Sequence, residues 1–468
     1  MKLKKIAEAE TEAFDDSEDS LYRSFWDEEG SLHLGYFDNL EDSQPEEFIK
    51  ACQRWNLYML EQSKIDASSK VLDIGCGNGN TAIWLAQQTG CEVVGIDLSG
   101  VRVNNAKEKA KNYPHLNISF EKASATSLPY DDNSFTHVWS QATIYHIPQK
   151  EKALEEIHRV LQEGGTFIFD DLLTPIPEIS SSGWQYVYER LLFEPTFSFE
   201  SYADFLSQLG LLVGEKVDLS DHLKKSYELL SQLALEKYPD LSIAYQKMCE
   251  AIDKRELGWG FYLCTKVSDR LTWIYETNNR ETLRNKYNAW ARIYDQELDK
   301  SYRVSPINSA QTLAQFLPHK NAIILDAGAG TGMVGEALAE LGYTQIVGVD
   351  ISEEMLEIAR KKQVYRDLFL GNLEDESLKQ FDKESFDAII SVGVFTFGHA
   401  HPQALNNLSS LLKSGGYFLL TVRADYYNTN ESLKQVLEDL SWRLITRQEF
   451  NAFEIEPMYA FLWQKLNS

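Results

Sequence analysis

Short apolar runs that close on an acid alternate along this chain with stretches whose apolar residues recur at helical spacing. Val71-Leu72-Asp73-Ile74 runs straight into Gly75-Cys76-Gly77-Asn78-Gly79, and Val93-Val94-Gly95-Ile96 closes on Asp97. Near-continuous apolar runs of this length mark strands buried on both faces of a parallel sheet. The pattern predicts strands at 70–74, 92–97, 117–121, 135–140 and 166–170, and helices at 46–62, 79–89, 100–112 and 150–162. Gly164-Gly165 ends the last of these helices as a C-cap. After the turn Thr174-Pro175-Ile176-Pro177 the alternation stops. A helix at 200–209 and a strand at 211–218 are followed by a long helical insert at 221–256 and a strand at 259–267. An insert of that size between the sixth and seventh strands of a sheet is expected to cap its crevice.

The pattern then runs a second time. Ile323-Ile324-Leu325-Asp326-Ala327-Gly328-Ala329-Gly330-Thr331-Gly332 repeats the first turn, and Asp350 repeats Asp97. Asp73 and Asp326 stand 253 residues apart, as do Asp97 and Asp350; Ser140 and Ser391 stand 251 apart, as do Gly165 and Gly416. Strands are predicted at 322–326, 345–350, 366–370, 386–391 and 417–423, two more within 441–465, and helices at 332–341, 353–362 and 402–413. Four landmarks in step indicate two copies of one α/β nucleotide-binding architecture with a parallel sheet. The expected domains are 1–275 and 276–468, with polar residues 268–286 as linker. Residues 1–20, acidic and polar, are expected to be a frayed or weakly helical lead-in. The second copy lacks an insert between its last strands and should be the more open of the two.

Composition narrows the partners. A formal net charge of −26 disfavours nucleic acid and anionic membrane, both of which reward basic surface. No apolar run approaches the ~18 residues of a membrane span. The five cysteines, Cys52, Cys76, Cys91, Cys249 and Cys264, include no CxxC pair. That usage fits a reducing, cytoplasmic compartment and argues against a zinc site or disulfide framework. No Asp/Asn cluster follows the fourth strands, so no metal is expected. Oligomeric state is left open.

Three ligands compete for the glycine turns. A dinucleotide fingerprint needs a third glycine where Asn80 and Met333 stand, and an ATP-type loop needs a Gly-Lys-Ser/Thr ending that neither copy has. The acid before the first glycine suits a cationic ligand instead. Asp97 and Asp350, closing the second strands, are placed to accept hydrogen bonds from ribose hydroxyls.

With these residues the chain resembles, twice, the class I S-adenosylmethionine-dependent methyltransferases. That family carries E/D-x-G-x-G-x-G on the first strand, an acid ending the second, a glycine pair before the fifth and an antiparallel seventh strand. The resemblance implies two Rossmann-like domains, each a mostly parallel seven-stranded sheet with helices on both faces. It implies that Asp73, Gly75, Cys76, Gly77 and Gly79 line the methionine end of the cofactor and that Asp97 binds ribose. Asp326, Gly328, Ala329, Gly330, Gly332 and Asp350 would do the same in the second copy. Ser140 and Ser391, on the fourth strands, are further candidate cofactor contacts. The loop after the third strand usually offers an acid to the adenine amine; here Ser124 and Asn372 stand there, both able to hydrogen-bond adenine.

The first copy also resembles glycine/sarcosine and dimethylglycine N-methyltransferases. Tyr22-Arg23-Ser24-Phe25-Trp26, then His33-Leu34-Gly35-Tyr36, match that family's opening segment, although it precedes the first strand and sequence alone gives it no place in the crevice. Trp139-Ser140-Gln141-Ala142-Thr143-Ile144-Tyr145-His146 and Trp259-Gly260-Phe261-Tyr262 match too, with Ala142 where the family has an acid. An ammonium acceptor must lose a proton before methylation. His146 is the expected base, with Tyr22 as its partner. Tyr22, Trp26, Tyr36 and Trp259 could surround a methylated ammonium at about 0.5–2 kcal/mol each, or pack the core. Gln141, Tyr145 and His33 complete the expected acceptor contacts, with a structural role as the alternative for His33. Phosphoethanolamine, tocopherol and sterol methyltransferases share the histidine at the His146 position, so it does not by itself select an amine.

The second copy resembles the compact group typified by the Williams–Beuren-region methyltransferase-like protein, through Tyr287-Asn288-Ala289-Trp290-Ala291-Arg292-Ile293-Tyr294-Asp295 and Ser391 to His399. Tyr294 and His399 are its catalytic candidates, and Trp290 and Phe397 its acceptor contacts. His401, before Pro402, reads as a helix start.

The leading expectation is a tandem enzyme that methylates a small-molecule acceptor, at nitrogen. The alternatives are O- or C-methylation of a quinone, terpenoid or other secondary metabolite, or one copy acting as a non-catalytic binding module. An apolar cap favours the metabolite; Arg190, Lys224 or Lys225 offered to a carboxylate favours an amino acid.

Overall fold

The computed structural model describes residues 6–24, 33–41, 44–275, 279–298, 304–374, 376–452 and 456–466. The chain divides into two compact units, Met1–Ser268 and Asp269–Ser468.

The first unit runs α1 (Glu8–Arg23), α2 (Phe48–Ser63), β1 (Lys70–Ile74), α3 (Asn80–Thr89), β2 (Glu92–Asp97), α4 (Gly100–Ala110), β3 (Ile118–Lys122), β4 (Phe135–Gln141), α5 (Lys150–Val160) and β5 (Leu161–Leu173). A short α6 (Ser181–Gly183) continues as a π-helical segment over Trp184–Glu189. Then follow α7 (Phe199–Leu209), β6 (Leu211–Asp218), α8 (Ser220–Ala234), α9 (Pro239–Asp253) and β7 (Gly258–Lys266). Strand order is β3-β2-β1-β4-β5-β7-β6. β7 pairs antiparallel with both β5 and β6, while the other pairs are parallel. The order reverses between β1 and β4, where an open α/β sheet leaves a crevice at its carboxyl edge. Val71, Leu72, Val93, Val138 and Phe167 are all buried, because helices cover both faces and leave no polar side.

The second unit runs α10 (Arg270–Tyr275), α11 (Arg280–Glu297), α12 (Val304–Phe316), β8 (Ile323–Ala327), α13 (Met333–Glu340), β9 (Gln345–Asp350), α14 (Glu353–Lys361), β10 (Asp367–Leu370), β11 (Phe386–Ser391), α15 (Ala404–Leu411), β12 (Leu412–Arg423), α16 (Ala424–Thr429), α17 (Glu431–Asp439), β13 (Trp442–Ala452) and β14 (Glu456–Lys465). Its order, β10-β9-β8-β11-β12-β14-β13, is that of the first sheet.

Several features depart from the sequence reading, among them Gly164 and Gly165, which lie inside β5 because α5 ends at Val160 with Leu161 as its cap. The acidic lead-in is a 16-residue helix, α1, tied to the crevice rather than frayed. The segment after Pro177 holds α6 and its π-helical extension, and α16 and α17 fill residues 424–439, to which the pattern assigns no element. The insert is two helices, α8 and α9, broken before Pro239, whose missing N–H is tolerated at a helix start. Among the described residues no helix is long and apolar enough to cross a membrane.

Candidate active site

In the first unit the chain leaves β1 through Gly75, Gly77 and Gly79, at φ +74°, +51° and +81°. The Gly75 and Cys76 N–H groups both donate to the Ile96 carbonyl, at 2.8 and 2.9 Å, tying the turn to β2. A Cβ on Gly75 would lie 2.2 Å from Thr143, and one on Gly79 2.8 Å from Ala106; one on Gly77 would meet nothing within 4 Å. Gly75 and Gly79 therefore allow close packing, and Gly77 fronts open space. Asp97 Oδ2 accepts the Gly77 N–H at 2.9 Å, and Oδ1 the Ser99 N–H at 2.8 Å.

The second unit repeats each element. Gly328, Gly330 and Gly332 have φ of +87°, +54° and +92°. Gly328 and Ala329 donate to the Val349 carbonyl at 2.8 and 3.0 Å. A Cβ on Gly328 would lie 2.2 Å from Val394, one on Gly332 3.0 Å from Tyr365, and one on Gly330 near nothing. Asp350 accepts from the Gly330 and Ser352 N–H groups, at 2.8 and 2.9 Å.

Behind each turn sits a buried acid. Burial pushes the Asp73 and Asp326 carboxyls up to about 7. Among the described residues Asp73 Oδ2 and Asp326 Oδ1 have no hydrogen-bond partner; Tyr365 donates to Asp326 Oδ2 at 2.6 Å. A buried, unpaired carboxylate oxygen is costly unless a cation or donor completes it.

The family profile of the methyltransferase domain matches residues 72–169 and 325–420, the two turn-bearing segments. Sarcosine/dimethylglycine N-methyltransferase of Halorhodospira halochloris is 30% identical over 206 residues, 44% of this chain and 71% of that protein. The 27-O-demethylrifamycin SV methyltransferase of Amycolatopsis mediterranei is 32% identical over 221 residues, 46% of this chain and 77% of that protein. Methyltransferase GfsG of Streptomyces halstedii is 31% identical over 161 residues; they are 34% of this chain and span 56% of that relative's length. The chain belongs to the S-adenosylmethionine-dependent methyltransferases.

The residues fit that cofactor in both units. The unpaired oxygen of Asp73, on the wall of the first crevice, suits its cationic methionine end, and the space before Gly77 and Gly330 is the cradle a Cβ would fill. Asp97 and Asp350, each steadied by two backbone donors, keep lone pairs for ribose hydroxyls.

The methyltransferase crevice of the first unit is lined by Asp73, Gly75, Cys76, Gly77, Asp97 and Ser124, and also by His33, Gln141, Tyr145 and His146. Burial and the nearby Arg102 and Lys150 charges push His146 down to about 3, so its imidazole is neutral. Its Nδ1 has no partner among the described residues. The aromatic from α1 beside it is Phe14, with ring centroids 5.8 Å apart. The side chain of Tyr22, expected as partner, and all of Trp26 lie outside the described residues. His33 Nε2 bonds Thr81 Oγ1 at 2.9 Å, and Gln141 donates to Asn56 Oδ1 at 2.8 Å.

Several expected contacts stand elsewhere. Ser140 donates to the Ile74 carbonyl at 3.1 Å and Ser391 to that of Ala327 at 2.8 Å; both are wholly buried and lock the fourth strand of each sheet to the first. Trp259 is wholly buried and donates to Asp170 at 2.8 Å, so it is core, not acceptor wall. Tyr36 stacks on His222, at 4.4 Å between centroids, and lies away from the crevice. Gly79 and Gly332 face packed side chains, and Asp326 and Ala329 sit behind the second crevice rather than on its wall.

The second crevice is lined by Gly328, Gly330, Asp350, Asn372, Tyr294 and His399. Trp290 faces a neighbouring cavity and donates to Glu297 at 2.6 Å, and Phe397 lies half-exposed against Tyr426.

Sequence reasoning missed Glu8, Thr11, Phe14 and Asp15 of α1, Tyr227 and Tyr245 of the insert, and Tyr287 of α11, all of which line the crevices. One signal was available: Glu8, Thr11 and Asp15 share a helical face by spacing. A helix so rich in acids reads as solvated.

Proposed function

We propose that the first unit methylates a small acceptor that carries a carboxylate and an amine, in the manner of betaine-type N-methylation. The observation that carries this reading is the neutral, unpartnered Nδ1 of His146 sharing one cavity with Arg190. Arg190 lies over the Tyr245 ring at 5.4 Å and brings positive charge to the acceptor side. Lys224, by contrast, is paired with Asp253 at 2.6 Å.

S-adenosylmethionine supplies an electrophilic methyl group on a sulfonium. The chain's own residues do the rest. His146 Nδ1 accepts a hydrogen bond from the N–H of an amine bound as its free base, Arg190 orients the acceptor's carboxylate, and α1 with the insert helices excludes water. Tyr145, Tyr227 and Tyr245 offer aromatic faces to the growing cation.

The second unit, by this reading, is a compact methyltransferase of the Williams–Beuren-region kind acting on a related or successive acceptor. The support is that Tyr287 and Tyr294 of its lead-in helix line its crevice beside His399. A second reading, O-methylation of an apolar metabolite, draws support from Phe14, Ile147 and Leu191 on the first crevice wall and from the rifamycin-modifying relative.

A radiolabelled methyl-transfer screen over amino acids, small amines and phenols decides between them. It uses the full chain, its Asp97→Ala and Asp350→Ala variants to assign each activity to a unit, and Arg190→Leu. Labelled amino acids with a raised KM in Arg190→Leu are expected. Label confined to phenols, indifferent to Arg190, overturns the first reading in favour of the second.

A further inference from the structure

The loop after β3 carries Ser124 where an adenine-reading acid is expected, yet an acid is present. Glu8, in the first turn of α1, reaches that loop from 116 positions away in the sequence. Its Oε1 accepts the Ser124 hydroxyl at 2.6 Å and the Thr126 hydroxyl at 2.9 Å. Glu8 and Ser124 line the same cavity as Gly77 and Asp97. We propose that Glu8 is the group that reads the exocyclic amine of the cofactor's adenine in the first unit, so that base recognition and closure of α1 are one event. This rests on the family's cofactor and not on any choice of acceptor.

The chemistry of the loop requires such a group. A hydroxyl donates or accepts with equal ease, so Ser124 and Thr126 alone cannot tell an amine from a carbonyl. Here both hydroxyls lie within reach of Glu8 Oε1 and 2.8 Å from each other, and Ser124 Oγ also accepts the Thr126 N–H at 3.1 Å. A carboxylate only accepts, with about four lone-pair sites, of which these hydroxyls use two. It welcomes a 6-amino group and repels a 6-oxo group.

The position of Glu8 is set by the rest of α1. Asp16 accepts from Ser99, after β2; Glu12 pairs with Lys122, at the end of β3; Thr11 Oγ1 donates to the His146 carbonyl, after β4, at 3.3 Å. Asp15 pairs with Arg102 of α4 at 3.1 Å, both side chains 12% exposed. The helix thus spans the three loops that bound the crevice, and the cofactor passes only when those contacts open. The second unit provides an internal contrast. The acid nearest its β10 loop, Glu374, is paired with Arg280, which leaves Asn372 beside the crevice. An amide presents donor and acceptor alike and discriminates less.

Calorimetric titration of the full chain with S-adenosylhomocysteine and its 6-oxo analogue, S-inosylhomocysteine, tests the proposal. An Asp350→Ala background isolates the first site. The adenosyl ligand should bind at least tenfold tighter than the inosyl one, as expected for a hydrogen bond to a charged acceptor. Glu8→Ala should weaken the adenosyl ligand roughly tenfold and bring the ratio near one. Adding Ser124→Asp to Glu8→Ala should restore both. If Glu8 only anchors the helix, both ligands weaken together with the ratio unchanged, and the proposal is overturned; an unchanged affinity for both overturns it as well.

Discussion

The Tyr287 hydroxyl stands 2.6 Å from Nε2 of His399, and the Phe397 carbonyl on the other ring nitrogen fixes the direction of this hydrogen bond. Nδ1 of the same ring lies 2.8 Å from the Phe397 carbonyl, which can only accept, so Nδ1 carries the proton and Nε2 receives that of Tyr287. Burial pushes the His399 ring down to about 4, and its imidazole is neutral at physiological pH. On the proposed reading, a proton leaving the acceptor in the second unit passes through the Tyr287 phenol. Tyr287→Phe should slow methyl transfer by this unit about 100-fold, within the range of general acid–base catalysis, while calorimetry finds its cofactor affinity unchanged. Tyr294→Phe should have a much smaller effect on rate.

Cofactor affinity should depend on pH through Asp73, which lines the first crevice; Asp326, behind the second, shares its raised pKa and acts on stability. Each carboxyl has its pKa raised to about 7 from an ordinary 3.8, so the free folded chain holds a proton there that an exposed carboxyl has already released. Folding takes up that proton between about pH 4 and 7, and stability falls as pH rises through this window. A cationic ligand needs the ionised form. Affinity of the first unit for S-adenosylhomocysteine should rise from pH 6 to 8 and then level, with up to one proton released at pH 6. Calorimetry in buffers of different protonation enthalpy measures that release, and Asp73→Asn should abolish it in the first unit.

Neighbouring glycines should fail in different ways. Gly77→Ala puts a Cβ into open space at a φ of +51°, a conformational cost of roughly 1–2 kcal/mol. That variant should fold and lose at least tenfold in cofactor affinity. Gly75→Ala drives its Cβ to 2.2 Å from Thr143 and should fold poorly or not at all. Thermal melts beside calorimetric titration separate the two, and Gly330→Ala and Gly328→Ala should repeat the contrast in the second unit.

Trp259 should act on stability alone. Asp170 accepts the Trp55 and Trp259 indole N–H groups, each at 2.8 Å, and the Ala142 N–H at 3.1 Å, in a fully buried cluster. Burial lifts this carboxyl to about 6 despite those donors. Trp259→Phe should cost about 1–3 kcal/mol in chemical denaturation, because a buried acceptor loses a donor. The acceptor KM of the first unit should not move.

The paired turns were legible in sequence because strand, glycine turn and helix are consecutive, and their backbone demands are met within about ten residues. Asp73, Gly77 and Asp97 reach the first crevice by that local logic, and Gly330 and Asp350 the second. The two-domain α/β fold followed from the same repeat. Which side chains complete the sites was decided by tertiary structure. Glu8 meets Ser124, Tyr287 meets His399 and Arg190 reaches Tyr245 only after helices distant in sequence dock on the sheet. Docking fixes the rotation of each helix about its axis. That rotation turns Phe14, Tyr227 and Tyr245 toward the crevice, while the pairing of β7 turns Trp259 into the core and Tyr36 stacks on His222, a choice between aromatic residues that composition and spacing leave equal.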